Sequence, residues 1–263
     1  MFFVADLNSA SSRLRVLQYV YLLRRDGHKV RICATRPSKY LMRPGWLPRL
    51  RVAELLHGLV GTAAIVAQRI FQICVYVPGA SVVVLQKDML FRTRIDLLER
   101  FVFRLARAAG RRTVFDLDDA IYLGTSLTAL GHMRAKVARI AASADLVLAG
   151  SVPIATELRA AGARVMLAPT GIAVGPQPTR SYRLAADGVR LVWTGTAANV
   201  RHLFAMAWPL NEFVGSSGAR ITVVTRLASL PGDLLHPFVD VTFVDWSERA
   251  EAQRNRRPLQ TTG

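Results

Sequence analysis

The chain has 263 residues, is 51% hydrophobic and 20% charged, and carries a formal net charge of +17. This composition can build the core of one large or two ordinary domains, and it excludes an intrinsically disordered chain. The positive charge suits an anionic membrane surface, but only four of the 35 cations are lysines and the arginines are scattered along the chain, so we do not expect nucleic acid as the partner.

The cysteines and the apolar segments indicate in which cellular compartment the protein is expected. Two cysteines without a CxxC pair indicate neither a disulfide framework nor a zinc site. Asp6 interrupts the apolar N-terminus before a signal-peptide core can form. The most apolar run, Leu55–Gln68, is 14 residues long and falls short of the roughly 20 that span a bilayer. We expect a buried or interfacial helix there, in a cytoplasmic protein that could attach peripherally to the inner face of the membrane.

Short apolar runs alternate with amphipathic stretches over the first two thirds of the chain. This pattern predicts a mostly parallel sheet with crossover helices. We expect strands over residues 2–5, 30–34, 81–86, 113–115, 146–149 and 164–168. We expect helices over residues 13–25, 52–75, 93–109 and 133–142, and one from Pro153 to Gly162.

A cluster of proline and glycine between residues 169 and 188 predicts a linker. A second α/β unit follows, with strands over 189–193, 221–225 and 239–244 and a helix over 199–213. Three strands are fewer than the roughly six of a doubly wound domain. The expected organisation is therefore a complete Rossmann-like domain over 1–168, a linker over 169–188, an incomplete Rossmann-like domain over 189–247 and an irregular tail over 248–263.

Three carboxylates follow an apolar strand at Val114-Phe115: Asp116, Asp118 and Asp119. A buried strand cannot hold unpaired carboxylates, so they must lie where the strand ends, which is the edge where open α/β sheets bind ligands. Three roles are open for them: a helix cap with salt bridges, contacts to an acceptor in a cleft, or a divalent-metal site.

Other candidates also follow strands. Arg13 and Arg15 come after the loop of the first strand, where they could bind an anionic group or simply be solvated, and Lys87 follows the strand over 81–86. Gly195, Thr196 and Asn199 stand between a strand and a helix, where phosphate contact and ordinary turn and cap roles are both open. His132 could act as a base or be structural.

Five segments carry a family resemblance. They are Ser11–Gln18, Val83–Lys87, Val114–Tyr122, Ala144–Ser151 and Leu191–Thr196. In order and spacing they are similar to segments of the retaining glycosyltransferases of family 4, which have the two-Rossmann-domain architecture called GT-B. The resemblance covers residues 3 to 246.

The resemblance implies transfer of a sugar from a nucleotide-sugar to an acceptor hydroxyl on a glycan or lipid-linked sugar, with the anomeric configuration retained. The nucleotide-sugar would be the co-substrate, and no further cofactor or metal is expected. It places the acceptor side in the first domain, with Arg13, Arg15, Lys87, Asp116, Asp118 and Asp119 as candidates, and the donor phosphates near Gly195, Thr196 and Asn199. The family's main donor-binding residues would lie beyond Trp246. We therefore expect this chain to be truncated in the donor domain and inactive alone. The alternative is a non-catalytic α/β module that binds an anionic surface or a protein partner.

Overall fold

The computed structural model describes residues 1–4, 6–7, 9–35, 51–89, 95–123, 127–171, 189–196, 199–226 and 241–246. For 51–58 and 127–132 it describes only the backbone. Internal contacts divide the chain into two units, Met1–Ala173 and Val174–Gly263. Most of the predicted linker and the whole predicted tail lie outside the described residues, so the domain limits stay a prediction.

The first unit contains a six-stranded parallel sheet. Its strands are β1 (Phe2–Phe3), β2 (Ile32–Cys33), β3 (Val82–Gln86), β4 (Arg112–Leu117), β5 (Leu146–Ala149) and β6 (Val165–Leu167). Their spatial order is β2-β1-β3-β4-β5-β6. This is the doubly wound arrangement in which the chain moves outward from β1 in both directions. The predicted parallel α/β, Rossmann-like fold is confirmed.

Helices connect these strands. They are α1 (Ala10–Ser12), a π-helical turn (Arg13–Leu17), α2 (Gln18–Arg25), α3 (Arg51–Tyr76), α4 (Leu97–Ala108), α5 (Leu127–Ser143) and α6 (Val152–Ala160). Crossovers between parallel strands are right-handed, so α2 covers one face of the sheet and α3 to α6 cover the other. The packing of α3 on α4, α4 on α5 and α5 on α6 agrees with this.

The core lies between the sheet and the layer formed by α3 to α6. Inward side chains of the central strands, such as Leu85, Phe115 and Val147, pack against Ile73 of α3 and Val102 of α4, and all five are buried. Because parallel strands covered on both faces read as apolar runs, these strands could be located from the sequence.

The helix α3 is longer than the apolar run from which it was predicted. It has 26 residues and continues through Arg69 to Tyr76, just before Pro78. Within it, Leu59–Tyr76 is long and apolar enough to cross a membrane by length and composition, with a mean hydropathy of 1.5. One side of this segment packs on the sheet through Ile65, Arg69 and Ile73, so α3 is part of the fold of the first unit.

The second unit contains three parallel strands in the order β7 (Arg190–Thr194), β8 (Arg220–Thr225) and β9 (Val241–Asp245). They form a sheet separate from that of β1 to β6. Two helices, α7 (Val200–Phe204) and α8 (Ala207–Ser217), lie between β7 and β8. Their small core includes Leu203, Val214, Ile221 and Val223.

The prediction of a single helix over 199–213 is therefore wrong, because two helices, α7 and α8, occupy this part of the chain. Pro209 explains the interruption. Proline lacks a backbone N–H, which a helix tolerates only in its first turn. The helix that contains Pro209 begins two residues before it, at Ala207.

Candidate functional site

Three segments meet at the carboxyl edge of the first sheet. They follow β1, β3 and β4, which are neighbours in the sheet. The connections of β1 and β3 leave toward opposite faces because β1 leads to β2 on one side and β3 leads to β4 on the other. Ligands bind at such a reversal point in open α/β sheets. Polar side chains converge there.

Asp116 and Arg15 form a buried ion pair at this edge. The side chain of each is 5% exposed. Nε of Arg15 donates to both carboxylate oxygens of Asp116, at 3.0 and 2.9 Å, and Nη2 also contacts the carboxylate. Nη1 of Arg15 donates to the carbonyl oxygen of Ala168 at 2.7 Å and to Oγ1 of Thr170 at 3.2 Å. The solvated alternative therefore does not describe Arg15, which ties the segment after β6 to the centre of the sheet.

Burial and hydrogen bonding shift the pKa of both members of this pair. Hydrogen bonding to Asp116 raises the pKa of Arg15, which stays charged. Burial raises the pKa of Asp116, although hydrogen bonds from Arg15 act in the opposite direction. The carboxylate is held by Arg15 on both oxygens, so its role in this structure is to fix Arg15 and β4.

Lys87 links the other two carboxylates. Its Nζ lies 3.1 Å from Oδ1 of Asp118 and donates to Oδ2 of Asp119 at 2.7 Å. Burial would lower the pKa of Lys87, but the hydrogen bond and the charges of both carboxylates outweigh burial and raise it. Asp118 is nearly buried, whereas the side chain of Asp119 is 69% exposed. The structure thus presents Asp119 to solvent with a cation beside it.

The backbone of Lys87 is in the left-handed region, with φ of 57°. This conformation is uncommon for a residue with a Cβ, and it occurs preferentially at functional sites. It turns the chain sharply at the end of β3.

Sequence reasoning missed a polar group beneath the carboxylates. Oγ of Ser11 donates to Oδ2 of Asp118 at 2.6 Å, Oγ of Ser12 donates to Oε1 of Gln86 at 3.0 Å, and Nε2 of Gln86 donates to the carbonyl oxygen of Ser11 at 3.0 Å. The π-helical turn follows directly, and such turns are frequent at functional sites. The sequence contains one indication of this group, because Gln86 is a polar residue at the end of the otherwise apolar strand β3.

Gly150 also belongs to this edge and was not predicted. A Cβ at Gly150 would lie 2.7 Å from both Cα and the carbonyl oxygen of Asp118. Backbone atoms cannot move aside cheaply, so the approach of the chain after β5 to Asp118 requires a glycine.

A buried charge cluster supports the segment after β3. Nζ of Lys136 lies 3.2 Å from Oε1 of Glu99 and 3.8 Å from Oδ2 of Asp88, and all three residues are buried. The amide of Met89 donates to the same Glu99 oxygen at 2.9 Å. Helices α4 and α5 therefore hold the residues next to Lys87 through charge-assisted contacts.

The remaining candidates of the first unit are less informative. Arg13 is half-buried on the π-helical turn. His132 lies in α5, but its side chain is outside the described residues. Among the residues that the structure describes, no group of three or more His, Cys, Asp or Glu side chains is arranged to hold a metal ion.

In the second unit, the three donor candidates follow β7. The amide of Gly195 donates to the carbonyl oxygen of Val224 at 3.2 Å, so it extends the sheet ladder. A Cβ at Gly195 would lie 2.6 Å from the far end of the Trp193 ring, so a larger residue there would require that side chain to shift. Thr196 is exposed, and Asn199 stands at the N-cap position of α7 without a side-chain capping hydrogen bond. The structure brings these residues to one strand end.

The side chains at the carboxyl edge of the first sheet are suited to hydrogen bonding with a ligand. Asp119 offers an exposed carboxylate that can accept hydrogen bonds from hydroxyl groups, and the hydrogen bond from Nζ of Lys87 to Oδ2 orients it. The buried contacts of Asp116, Asp118 and Gln86 fix the strand ends on which Asp119 stands.

Comparisons with known proteins give fold-level similarity only. No protein-family model matches the chain. No curated protein sequence matches it either. Among solved structures, it is similar to a chain of the glycosylation-associated protein complex Gap123 from Streptococcus agalactiae, at 10% identity and a TM-score of 0.40, over 73% of this chain and 39% of that one.

It is also similar to the spinosyn forosaminyltransferase SpnP, at 15% identity and a TM-score of 0.43, over 92% of this chain and 69% of that one. The chain thus spans about two fifths of the length of the Gap123 chain and about two thirds of that of SpnP. At these scores the similarity assigns neither a family nor an activity to the chain.

Proposed function

We propose that this chain is a glycosyltransferase-like protein whose first unit binds the acceptor. In the intact protein, a sugar would pass from a nucleotide-sugar to an acceptor hydroxyl with retention of configuration. The observation that carries the proposal is the exposed carboxylate of Asp119, held by Lys87 at the carboxyl edge of a parallel sheet. The five segments that resemble family 4 glycosyltransferases give it further support.

The division of roles follows from burial. Asp119 and Lys87 would contact the hydroxyl groups of a glycan or lipid-linked sugar, whereas Asp116, Asp118 and Arg15 would position them. Positioning of this kind lowers the entropic barrier to reaction without any covalent step on the protein. The donor diphosphate would lie near Thr196 and Asn199 of the second unit, with Gly195 supporting the turn.

The test is acceptor binding by the intact chain of residues 1–263, measured by calorimetry with a panel of oligosaccharides and detergent-solubilised lipid-linked sugars. Changing Asp119→Asn should weaken binding by about 10- to 100-fold, because a hydrogen bond to a charged group is lost. The free energy of unfolding should change by less than about 1 kcal/mol, since the carboxylate of Asp119 is largely exposed and Lys87 keeps Asp118 as a partner.

Asp26→Asn is the matched control, since Asp26 is an exposed aspartate that, like Asp119, has a cationic partner, here Arg25. It should leave acceptor affinity unchanged. Equal affinities for the wild-type chain and the Asp119→Asn variant would sink the proposal. A second arm adds nucleoside-diphosphate sugars to the same samples, because the inactivity of this chain alone is a separate prediction from acceptor binding.

A further inference from the structure

The outward face of α3 is unlike that of an ordinary surface helix. Apart from Thr62, its exposed residues from Leu59 onward lie on one side of the helix, and none of them is charged: Leu59, Val60, Ala63, Ala64, Ala67, Ile70, Phe71, Cys74 and Val75. Val60 is 68% exposed and Phe71 is 58% exposed. A surface helix normally turns charged residues to water, and the opposite arrangement marks an interaction site.

This apolar face is continuous along the helix. Its members recur after every three or four residues, singly or as adjacent pairs, which keeps them on one side from Leu59 to Val75, a rise of about 24 Å. The opposite side of α3 packs on the sheet through Ile65, Arg69 and Ile73. Nη1 and Nη2 of Arg69 donate to the carbonyl oxygens of Cys33 and Val4. The helix therefore cannot turn its apolar face inward.

The neighbouring helix α4 supplies positive charge on the same side of the molecule. Its outward face carries Arg100, Arg104 and Arg107 together with exposed Leu97 and Phe101. Two acidic residues belong to this part of the chain, and both are buried: Glu99 lies against Lys136, and Asp96, at the N-cap of α4, pairs with Arg139 and Arg100. A groove lined by these three arginines and Arg139 separates α4 from α5.

We propose that the outward faces of α3 and α4 bind an anionic lipid bilayer, with the apolar face of α3 in the acyl boundary and the arginines of α4 on lipid phosphates. Apolar residues beside cationic ones are the combination that binds the interface of an anionic membrane. Arginine holds phosphate oxygens by two parallel hydrogen bonds.

Charge separates this partner from a second copy of the chain. Two copies joined through α3 would bring two rows of arginines and two net charges of +17 together. Like charges at an interface oppose association, whereas an anionic surface is attracted to the same face. The proposal is independent of sugar transfer, because none of these residues belongs to the carboxyl edge of the sheet.

The chain offers a natural probe position. Of its two cysteines, Cys74 is exposed on the apolar face and Cys33 is buried. A polarity-sensitive fluorophore attached to Cys74 of the wild-type chain should shift to the blue on vesicles of phosphatidylcholine with about a quarter phosphatidylglycerol. Vesicles of phosphatidylcholine alone should give a much smaller shift, and raising the salt from about 0.05 to 0.5 M should reverse binding.

Co-flotation with the same vesicles tests the residues. Changing Arg100, Arg104 and Arg107 to Gln together should weaken binding about 100-fold, because each arginine contributes roughly a factor of five at an anionic surface. The control removes the same charge elsewhere by changing Arg24, Arg25 and Arg201 to Gln. The vesicle affinity of this control variant should stay within about threefold of the wild-type value, because the proposal requires arginines at particular positions and not only a high net charge.

Phe71→Ser with Val75→Ser should weaken binding at least about 10-fold. Val152→Ser with Trp208→Ser, which changes two exposed apolar residues elsewhere, should not. The proposal is overturned by an unshifted Cys74 probe, by equal binding to neutral vesicles, or by equal losses in the two arginine triples. Self-association of the free chain that Phe71→Ser abolishes, without vesicle binding, would instead assign the face to a second copy. If a variant fails to fold, the probe and salt measurements on the wild-type chain still decide.

Discussion

At the scale of single residues, three aspartates within four positions have three different surroundings. Asp116 is buried in an ion pair with Arg15, Asp118 is held by Ser11 and Lys87, and Asp119 is exposed. Asp116 lies within β4, whereas Asp118 and Asp119 follow the end of that strand. The three carboxylates therefore do not share one role in the structure, and Asp119 is the one that is exposed to solvent.

The Arg15–Asp116 pair makes a prediction about stability. Changing Arg15→Met leaves the carboxylate of Asp116 buried without its main partner, which should lower the free energy of unfolding by about 3 to 5 kcal/mol. The measurement is urea denaturation of the intact chain followed by circular dichroism.

Arg25→Met is its control, because Arg25 and Asp26 form a largely exposed ion pair at 3.2 Å. An exposed pair contributes at most about 1 kcal/mol. Similar losses in the two variants would show that Arg15 and Asp116 are solvated in solution.

At the scale of elements, the carboxyl edge depends on the close approach of the chain after β5 to the chain after β4. Gly150→Ala would place a Cβ against Asp118 backbone atoms. We expect a loss of about 1 to 3 kcal/mol in the free energy of unfolding, together with weaker acceptor binding. Gly79→Ala should cost little, because a Cβ there meets nothing within 4 Å. Unaltered stability of the Gly150→Ala variant would contradict the observed approach.

The starts of β4 and β5 are joined by Asp145, which makes stability depend on pH. Burial disfavours the charged form of Asp145, but hydrogen bonds from the amide and hydroxyl of Thr113 outweigh it and lower the pKa. A lowered pKa stabilises the fold above the unfolded value of about 3.9, and this contribution is lost as the pH falls through the folded value.

Asp145→Ala should therefore reduce stability at pH 7 and should flatten the fall in melting temperature on acidification below about pH 4. Thermal melts of both proteins across this range provide the check. Parallel curves would mean that Asp145 does not contribute to the acid sensitivity.

Much of this arrangement could be predicted from the sequence, and the missing parts have physical reasons. Val83 and Phe115 lie in apolar runs, which locate buried strands. Asp118 and Asp119 follow the end of β4, but the expectation that Asp116 also lies beyond the strand is wrong: Asp116 is buried within β4, where Arg15 pairs with it. The contacts of Ser11 with Asp118 and of Gly150 with Asp118 depend on the order of strands in the sheet, which periodicity does not give. The break between α7 and α8 could have been predicted from Pro209 alone.

At the scale of the whole molecule, two parallel α/β units occur in one chain, each built from strands that alternate with helices. In the first unit, the order of the strands places the polar residues at its carboxyl edge, while the outward faces of α3 and α4 carry apolar residues and arginines. One unit thus provides a candidate acceptor site and a candidate membrane surface made of different residues.

The most direct measurement of the central claim locates the bound acceptor on the isotopically labelled chain by changes in amide NMR shifts. Saturation with an acceptor that binds in the calorimetric panel should shift the amides of Lys87, Asp118 and Asp119, and Asp119→Asn should remove these shifts at the same acceptor concentration. Shifts confined to residues away from the carboxyl edge of the first sheet, or shifts that the Asp119→Asn variant retains, would contradict the account.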